Sequence, residues 1–215
     1  LAGFLILSSH EAQAAGGTFG GGNGTFGDPY LITDVLDLQA INNDLSAYYA
    51  LANNINITPA SLPDPAGFIP IGNAVNRFYG SFNGSGYTIT GLTINRPNTD
   101  NVGLFGCVGL NGEVVNVRLI NANITGRNNV SALVGLNYGT VTDSYSTGTS
   151  GTVKGTNSVG GLVGRNYDGG SVTDSYATRK VEGNDAIGGL VGENYESTVT
   201  NSYATGNVQG VNAVG

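Results

Sequence analysis

The 215-residue chain has no methionine, no tryptophan, one cysteine and one histidine. Each shortage removes a class of chemistry. The only histidine, His10, lies next to an N-terminal apolar run. An HExxH zinc peptidase, a Ser-His-Asp triad and a Cys-His pair each need a histidine elsewhere. Cys107 has no second cysteine to pair with, and Leu104, Phe105, Gly106 and Val108 around it are apolar or small. It is expected to pack as a small buried hydrophobe rather than react. Only eight Lys and Arg are present, with no basic run, so the clustered charge that nucleic acid demands is missing. Charged residues make up 11% of the chain, less than half of the roughly 25% usual in globular domains. The longest apolar stretch, Leu1–Leu7, falls far short of the ~20 residues that span a bilayer, so no membrane span is expected. Hydrophobic residues at 40%, many of them Val, Ile and Tyr, argue against disorder. What fills the space is 36 glycines with abundant Asn, Thr and Ser, a composition for many turns and short strands. A net charge of −7 and a pI near 4.4 suit a soluble extracellular surface.

Residues 1–14, LAGFLILSSHEAQA, read as a signal-peptide remnant: an apolar tail, a polar stretch, then Ala12-Gln13-Ala14 as a cleavage site. That predicts a secreted or cell-surface protein. Residues 15–27 read as a glycine-rich linker. At the other end, Val211–Gly215 has the form of another repeat opening, which predicts that the repeats continue beyond residue 215.

The second half repeats one phrase. Val130–Tyr138 is followed by Thr140–Tyr145, Val159–Tyr167 by Ser171–Tyr176, and Ile187–Tyr195 by Thr198–Tyr203. A degenerate copy starts at Val102. Leu104, Leu133, Leu162 and Leu190 mark steps of 29, 29 and 28 residues. A fixed period of this size means stacked structural units. One leucine per unit excludes leucine-rich repeats, and short β-branched pieces separated by Gly and Asn exclude helical ones. The predicted fold is all-β, a right-handed parallel β-helix with one coil per 27–29 residues and room for about three strands and three corners in each. Equivalent residues should then stack at ~4.8 Å. Val141, Val172 and Val199 are expected as an inward column, with the alternating Thr140/Ser171/Thr198 and Thr142/Thr173/Thr200 outside. Asn137, Asn166 and Asn194 are expected to pass amide hydrogen bonds along one corner. Gly135, Gly164 and Gly192 should permit a tight bend before it, and Tyr145, Tyr176 and Tyr203 should form an aromatic column.

The N-terminal third differs. Thr33-Asp34 can cap a short helix with Val35, Leu38, Ile41 and Leu45 on one face. Tyr49–Ile57 reads as strand, and residues 59–70 hold four of the six prolines. A solenoid end exposes unpaired edges and core, so residues 28–79 are assigned as an N-terminal cap and 80–215 as the β-helix.

The Gly-Leu-Val-Gly cores at 161–164 and 189–192 resemble the GLUG-motif family, over roughly residues 80–215, and Ile32–Ile57 with Ser81–Ile94 resembles the segment that leads into such repeats. Ser131-Ala132 depart from the pattern by replacing two glycines. The resemblance implies large secreted or cell-surface proteins, including filamentous-haemagglutinin-like adhesins and some cell-wall peptidases. It implies architecture and no particular activity.

Four further features are accounted for by structure alone. Asp143 and Asp174 occupy equivalent sites one coil apart, a spacing close to that of retaining glycosidases, but repeat position accounts for them as turn residues. Arg179-Lys180 read as solvated turn residues. The Thr-x-Thr ranks follow from β-propensity. Five Asn-x-Ser/Thr sequons, at Asn23, Asn56, Asn83, Asn123 and Asn129, carry little weight in so Asn-rich a chain. The sequence therefore predicts a structural or adhesin-like rod without catalytic residues, cofactor or metal. Its expected partners are surface glycans or host and cell-surface proteins, with end-to-end self-association as one alternative and a carbohydrate-active β-helix enzyme as another.

Overall fold

A computed structural model describes residues 19–215. The leader assigned to 1–14, with His10, and the start of the linker lie outside the described residues. The chain is a parallel β-solenoid. One coil reads Thr140–Thr142, Tyr145–Thr147, Val153–Lys154, Asn157–Gly160 and Val163–Tyr167. Each of these strands pairs in parallel with its equivalent in the neighbouring coils, giving five sheets, here I to V in that order. Sheet I is the longest. Its seven strands begin at Tyr30–Ile32, end at Thr198–Thr200 and span about six turns.

A coil therefore holds five short strands, where three were expected. One of the added breaks comes from a recurring left-handed residue. Asn116, Asp143, Asp174 and Asn201 have φ of 57, 50, 50 and 51° and break the strand between sheets I and II. Asn129, Ser158, Ala186 and Ala213 have φ of 53, 51, 52 and 44° and bend sheet IV, whose register skips them. Asn and Asp enter this region at low cost, alanine does not. Replacing Ala186 by Gly is expected to stabilise the chain by about 1 kcal/mol, read as a raised urea midpoint with unchanged m.

The first corner carries a staple that pattern reading missed. Ser144, Ser175 and Ser202 follow the left-handed residue. The Ser175 hydroxyl accepts from the Ser144 N–H at 3.1 Å, and Ser202 does the same for Ser175. Each hydroxyl then donates to the carbonyl two residues back, at 2.7–2.8 Å. One side chain thus satisfies a donor on the coil before it and an acceptor on its own.

The interior is a set of columns. Phe82, Val114, Val141 and Val172 are fully buried on sheet I, while Val199 on the last coil is 40% exposed. There Leu190, Val199 and Val208 line a hollow of about 480 Å³ on the face where each earlier coil receives the next. Towards the N-terminus aliphatic columns give way to rings: Phe78 and Phe82 lie 5.0 and 5.5 Å from Phe105, and Phe19 stacks on Tyr30 at 4.5 Å.

Residues 19–80 supply the first two strands of sheet I and the first of sheet II, and their other segments cover the N-terminal end. Gly20 and Gly21 exchange backbone hydrogen bonds with Leu31, along the outer edge of sheet I. The helix Val35–Ala40 is capped by Asp34, whose carboxylate accepts from the N–H of Leu36 and Asp37 at 2.8 and 3.0 Å. It turns Val35 and Leu38 inward. The Gln39 amide both donates to and accepts from the Ile69 backbone, and Asn42 bonds Pro70 and Gly72 in the same manner. Single bridges from Gly67 to Ile94, Ile71 to Phe105 and Phe78 to Val108 then cover the edges of sheets III and V, which would otherwise be free for pairing. The segment expected as one strand, Tyr49–Ile57, is two, Tyr48–Leu51 and Ile55–Asn56, since it rounds the corner from sheet I to sheet II. No helix among the described residues is long and apolar enough to cross a membrane.

Candidate functional site

The repeated residues are the candidate site, and the structure brings the equivalent ones together. Asn137 and Asn166 are fully buried where sheet V turns into sheet I. Asn137 Nδ2 donates to Asn166 Oδ1 at 2.8 Å, and Asn166 Nδ2 to Asn194 Oδ1 at 2.8 Å. The same amide groups reach the carbonyls of Gly139, Gly170 and Ser197 on their own coils. The ladder starts at Asn137, because Val108 holds the matching place in the degenerate copy.

Gly135, Gly164 and Gly192 serve a purpose different from the bend expected of them. They lie within sheet V, without positive φ, and sheet V passes against the backbone of sheet IV. A Cβ on Gly164 would come within 2.6 Å of Asn129 C, Val130 N and Gly135 O. On Gly192 it would meet Val159 N at 2.5 Å and Ser158 C at 2.6 Å. The Gly-Leu-Val-Gly phrase is thus a requirement for two sheets to meet backbone to backbone. Ser131 carries a side chain where the next coils have Gly160 and Gly188, and its buried hydroxyl has no partner among the described residues.

Two columns of tyrosine follow the rod. Tyr145 and Tyr176 stack at 4.8 Å and 23°, and Tyr176 and Tyr203 at 5.2 Å and 3°. A second column, Tyr138, Tyr167 and Tyr195, runs one corner earlier, with a T-shaped first contact at 5.6 Å and a stacked second one at 5.1 Å. The Asn-Tyr pair in each repeat was the available signal for it. Guanidinium groups cover parts of both: Arg77 over Tyr138 at 4.1 Å, Arg165 over Tyr167 at 4.3 Å and Arg118 near Tyr145 at 5.9 Å.

Asp143 and Asp174 are exposed, in left-handed conformation at one corner. Their backbone accounts for an Asx residue there, with Asn116 and Asn201 at the two other places in the column. Cys107 is fully buried, and burial pushes its thiol up to about 11. Among the described residues no cluster of three His, Cys, Asp or Glu side chains could hold a metal.

Arg179 corrects its reading as a solvated turn residue: it is 1% exposed, while Lys180 beside it is exposed. Its guanidinium lies under the corner loop 148–152, which has more residues than the same corner of the later coils. It donates to the carbonyls of Thr147, Ser150 and Ala122. Burial lowers its pKa. Three carbonyl dipoles stand where a carboxylate usually would, and nothing in the local sequence marks this, because the loop it fills belongs to the preceding coil. Arg179→Ala should cost about 2–3 kcal/mol and open 148–152 to limited proteolysis, with cleavage there preceding cleavage elsewhere.

Residues 155–182 and 183–209 match the GLUG motif, so the chain carries two adjacent repeats of that family. Halomucin of Haloquadratum walsbyi is 41% identical over 135 residues, which cover 60% of this chain and 2% of halomucin. A candidate Gly-rich membrane protein of Evansella cellulosilytica is 39% identical over 145 residues, 64% of this chain and 17% of that protein. The chain thus spans a small part of the curated relatives it matches. The solved structure of a candidate immunoglobulin A1 protease from Bacteroides ovatus superposes with a TM-score of 0.64 over 90% of this chain and 70% of that one, at 20% identity. At that identity the likeness concerns the fold.

Proposed function

We propose that this chain is a segment of an extracellular or cell-surface β-solenoid that serves as a stiff, adhesin-like rod and has no catalytic activity of its own. The observation that carries this is what the repeated residues do. The Asn, Ser, Gly and Val of the three full repeats are engaged in joining one coil to the next. A sequence kept regular by a catalytic need would instead concentrate unusual residues in one coil. Stacked coils make a spacer with long exposed faces, and those faces are where surface glycans or cell-surface proteins would bind. Similarity to halomucin and to a candidate Gly-rich membrane protein supports the location.

The test is accessibility on intact cells of the source organism. Antibodies raised against the 215-residue chain should label unpermeabilised cells, and brief external protease should remove the label. Labelling that requires lysis would overturn the reading.

A further inference from the structure

The chain has a single cysteine, and Cys107 is buried, so no disulfide can tie one coil to another. The tyrosine column on sheet II offers a different covalent tie. Tyr145, Tyr176 and Tyr203 occupy equivalent places on adjacent parallel strands. Their rings are stacked at 4.8 and 5.2 Å, nearly parallel in the second pair, and none of the three is buried. We propose that this column is a site of oxidative tyrosine coupling, in which Tyr176 joins Tyr145 or Tyr203 through a ring carbon–carbon bond under a one-electron oxidant of the peroxidase–hydrogen peroxide class.

The step balances without further reactants. Each phenol gives up one electron and its O–H proton, leaving two phenoxyl radicals with spin density on Cε. A Cε–Cε bond forms between them. The hydrogen displaced from each bonded Cε passes to the phenolic oxygen, which restores both phenols. The protein loses two hydrogens in all, and one peroxide accepts them to become two waters. Held neighbours make this an intramolecular event, with the large advantage that proximity gives over encounter.

The geometry also selects among the tyrosines. Tyr49 lies 5.7 Å from Tyr30, but it is 2% exposed and its hydroxyl donates to the Asp44 carbonyl, so an external oxidant does not reach it. In the neighbouring column Tyr138 meets Tyr167 edge-on, and both rings carry a guanidinium within 4.3 Å. A cation at that distance opposes removal of an electron from the ring. Tyr176 has no such neighbour among the described residues.

The experiment treats the full chain, dilute and folded, with horseradish peroxidase and limiting peroxide. Monomer is isolated and read by dityrosine fluorescence, intact mass and peptide mapping. The expected product is monomer lighter by two hydrogens, with a cross-linked peptide pair containing Tyr176. Tyr176→Phe keeps the stacked ring and should lower the yield in monomer at least fivefold, whereas Tyr138→Phe should leave it within twofold. Tyr203→Phe, an independent variant, should shift the cross-link to Tyr145. Wild-type chain in urea should lose the yield with the fold. Equal yields from Tyr176→Phe and wild type, equal yields in urea, or cross-links found only between molecules would each overturn the proposal. Surface labelling of cells does not enter this measurement, so the proposed location stands or falls separately.

Discussion

Asn166→Asp is expected to unfold the repeat region at neutral pH, with a loss of about 3–5 kcal/mol, although it changes a single side-chain atom. Asn166 is fully buried and donates through Nδ2 to Asn194 Oδ1 and to the carbonyls of Gly170 and Thr198. An aspartate oxygen in that place would face three acceptors without a donor, buried from solvent. The pH dependence has a definite sign. Burial among carbonyls raises the folded pKa of the new acid above its unfolded value, which is about 3.9. Below the unfolded value the group is neutral in both states and the penalty is smallest. The penalty grows as pH rises from there to the folded pKa. The wild-type chain moves the other way in acid: Arg127 beside Asp100 and Lys180 beside Glu182 hold those carboxylates low, and the stability they add is lost as pH falls through their folded pKa values. The measurement is therefore the difference between variant and wild type in urea unfolding at each pH. That difference should shrink towards acid. A difference independent of pH would mean that the ladder amide is not where the loss arises. Asn166→Ala, which removes the hydrogen bonds without adding a charge, should cost about 2–3 kcal/mol at every pH.

Gly164→Ala should cost about 3 kcal/mol or more. The added methyl would lie 2.6 Å from three atoms, all of them backbone. No rotamer change relieves such a contact, so sheet V must move away from sheet IV, and the displacement is passed to the coils on either side. Gly169→Ala provides the contrast: that glycine has φ of +87° and nothing within 4 Å of its missing Cβ. Its cost is conformational alone, about 1–2 kcal/mol. Urea midpoints of the two variants separate steric from conformational need. Equal losses would show that sheet separation is not the constraint at Gly164.

The solenoid was legible in the sequence because period and alternation are both properties of chain spacing. Leu104, Leu133, Leu162 and Leu190 give the coil, and Thr140-Val141-Thr142 with its equivalents gives the inward and outward sides. The number of strands in a coil was less legible. It depends in part on left-handed backbone at Asp143 and Asp174, and Asp and Asn are abundant enough here that their presence alone does not identify a break. The same limit hid the purpose of Gly164, since a glycine needed for close approach looks identical to one needed for a turn. Ser144, Ser175 and Ser202 were visible in the three full repeats, yet a serine before a tyrosine does not reveal which coil its hydroxyl serves. Arg179 was the least legible. Its burial arises from the length of a loop about thirty residues earlier, so the cause and the residue share no local pattern.

The direction of the hydrogen bonds between coils sets how such a rod responds to force. They run along its axis from each strand to the next, as in the pairings of Val141 with Val172 and of Val172 with Val199. Tension applied to the two ends loads one inter-coil seam after another rather than shearing many strands together. Rupture of a seam frees one coil of 28–29 residues, a contour length of about 100 Å at roughly 3.5 Å per extended residue. A long array would then give way in equal steps and keep its remaining coils intact, behaving as a tether that lengthens under load before it parts.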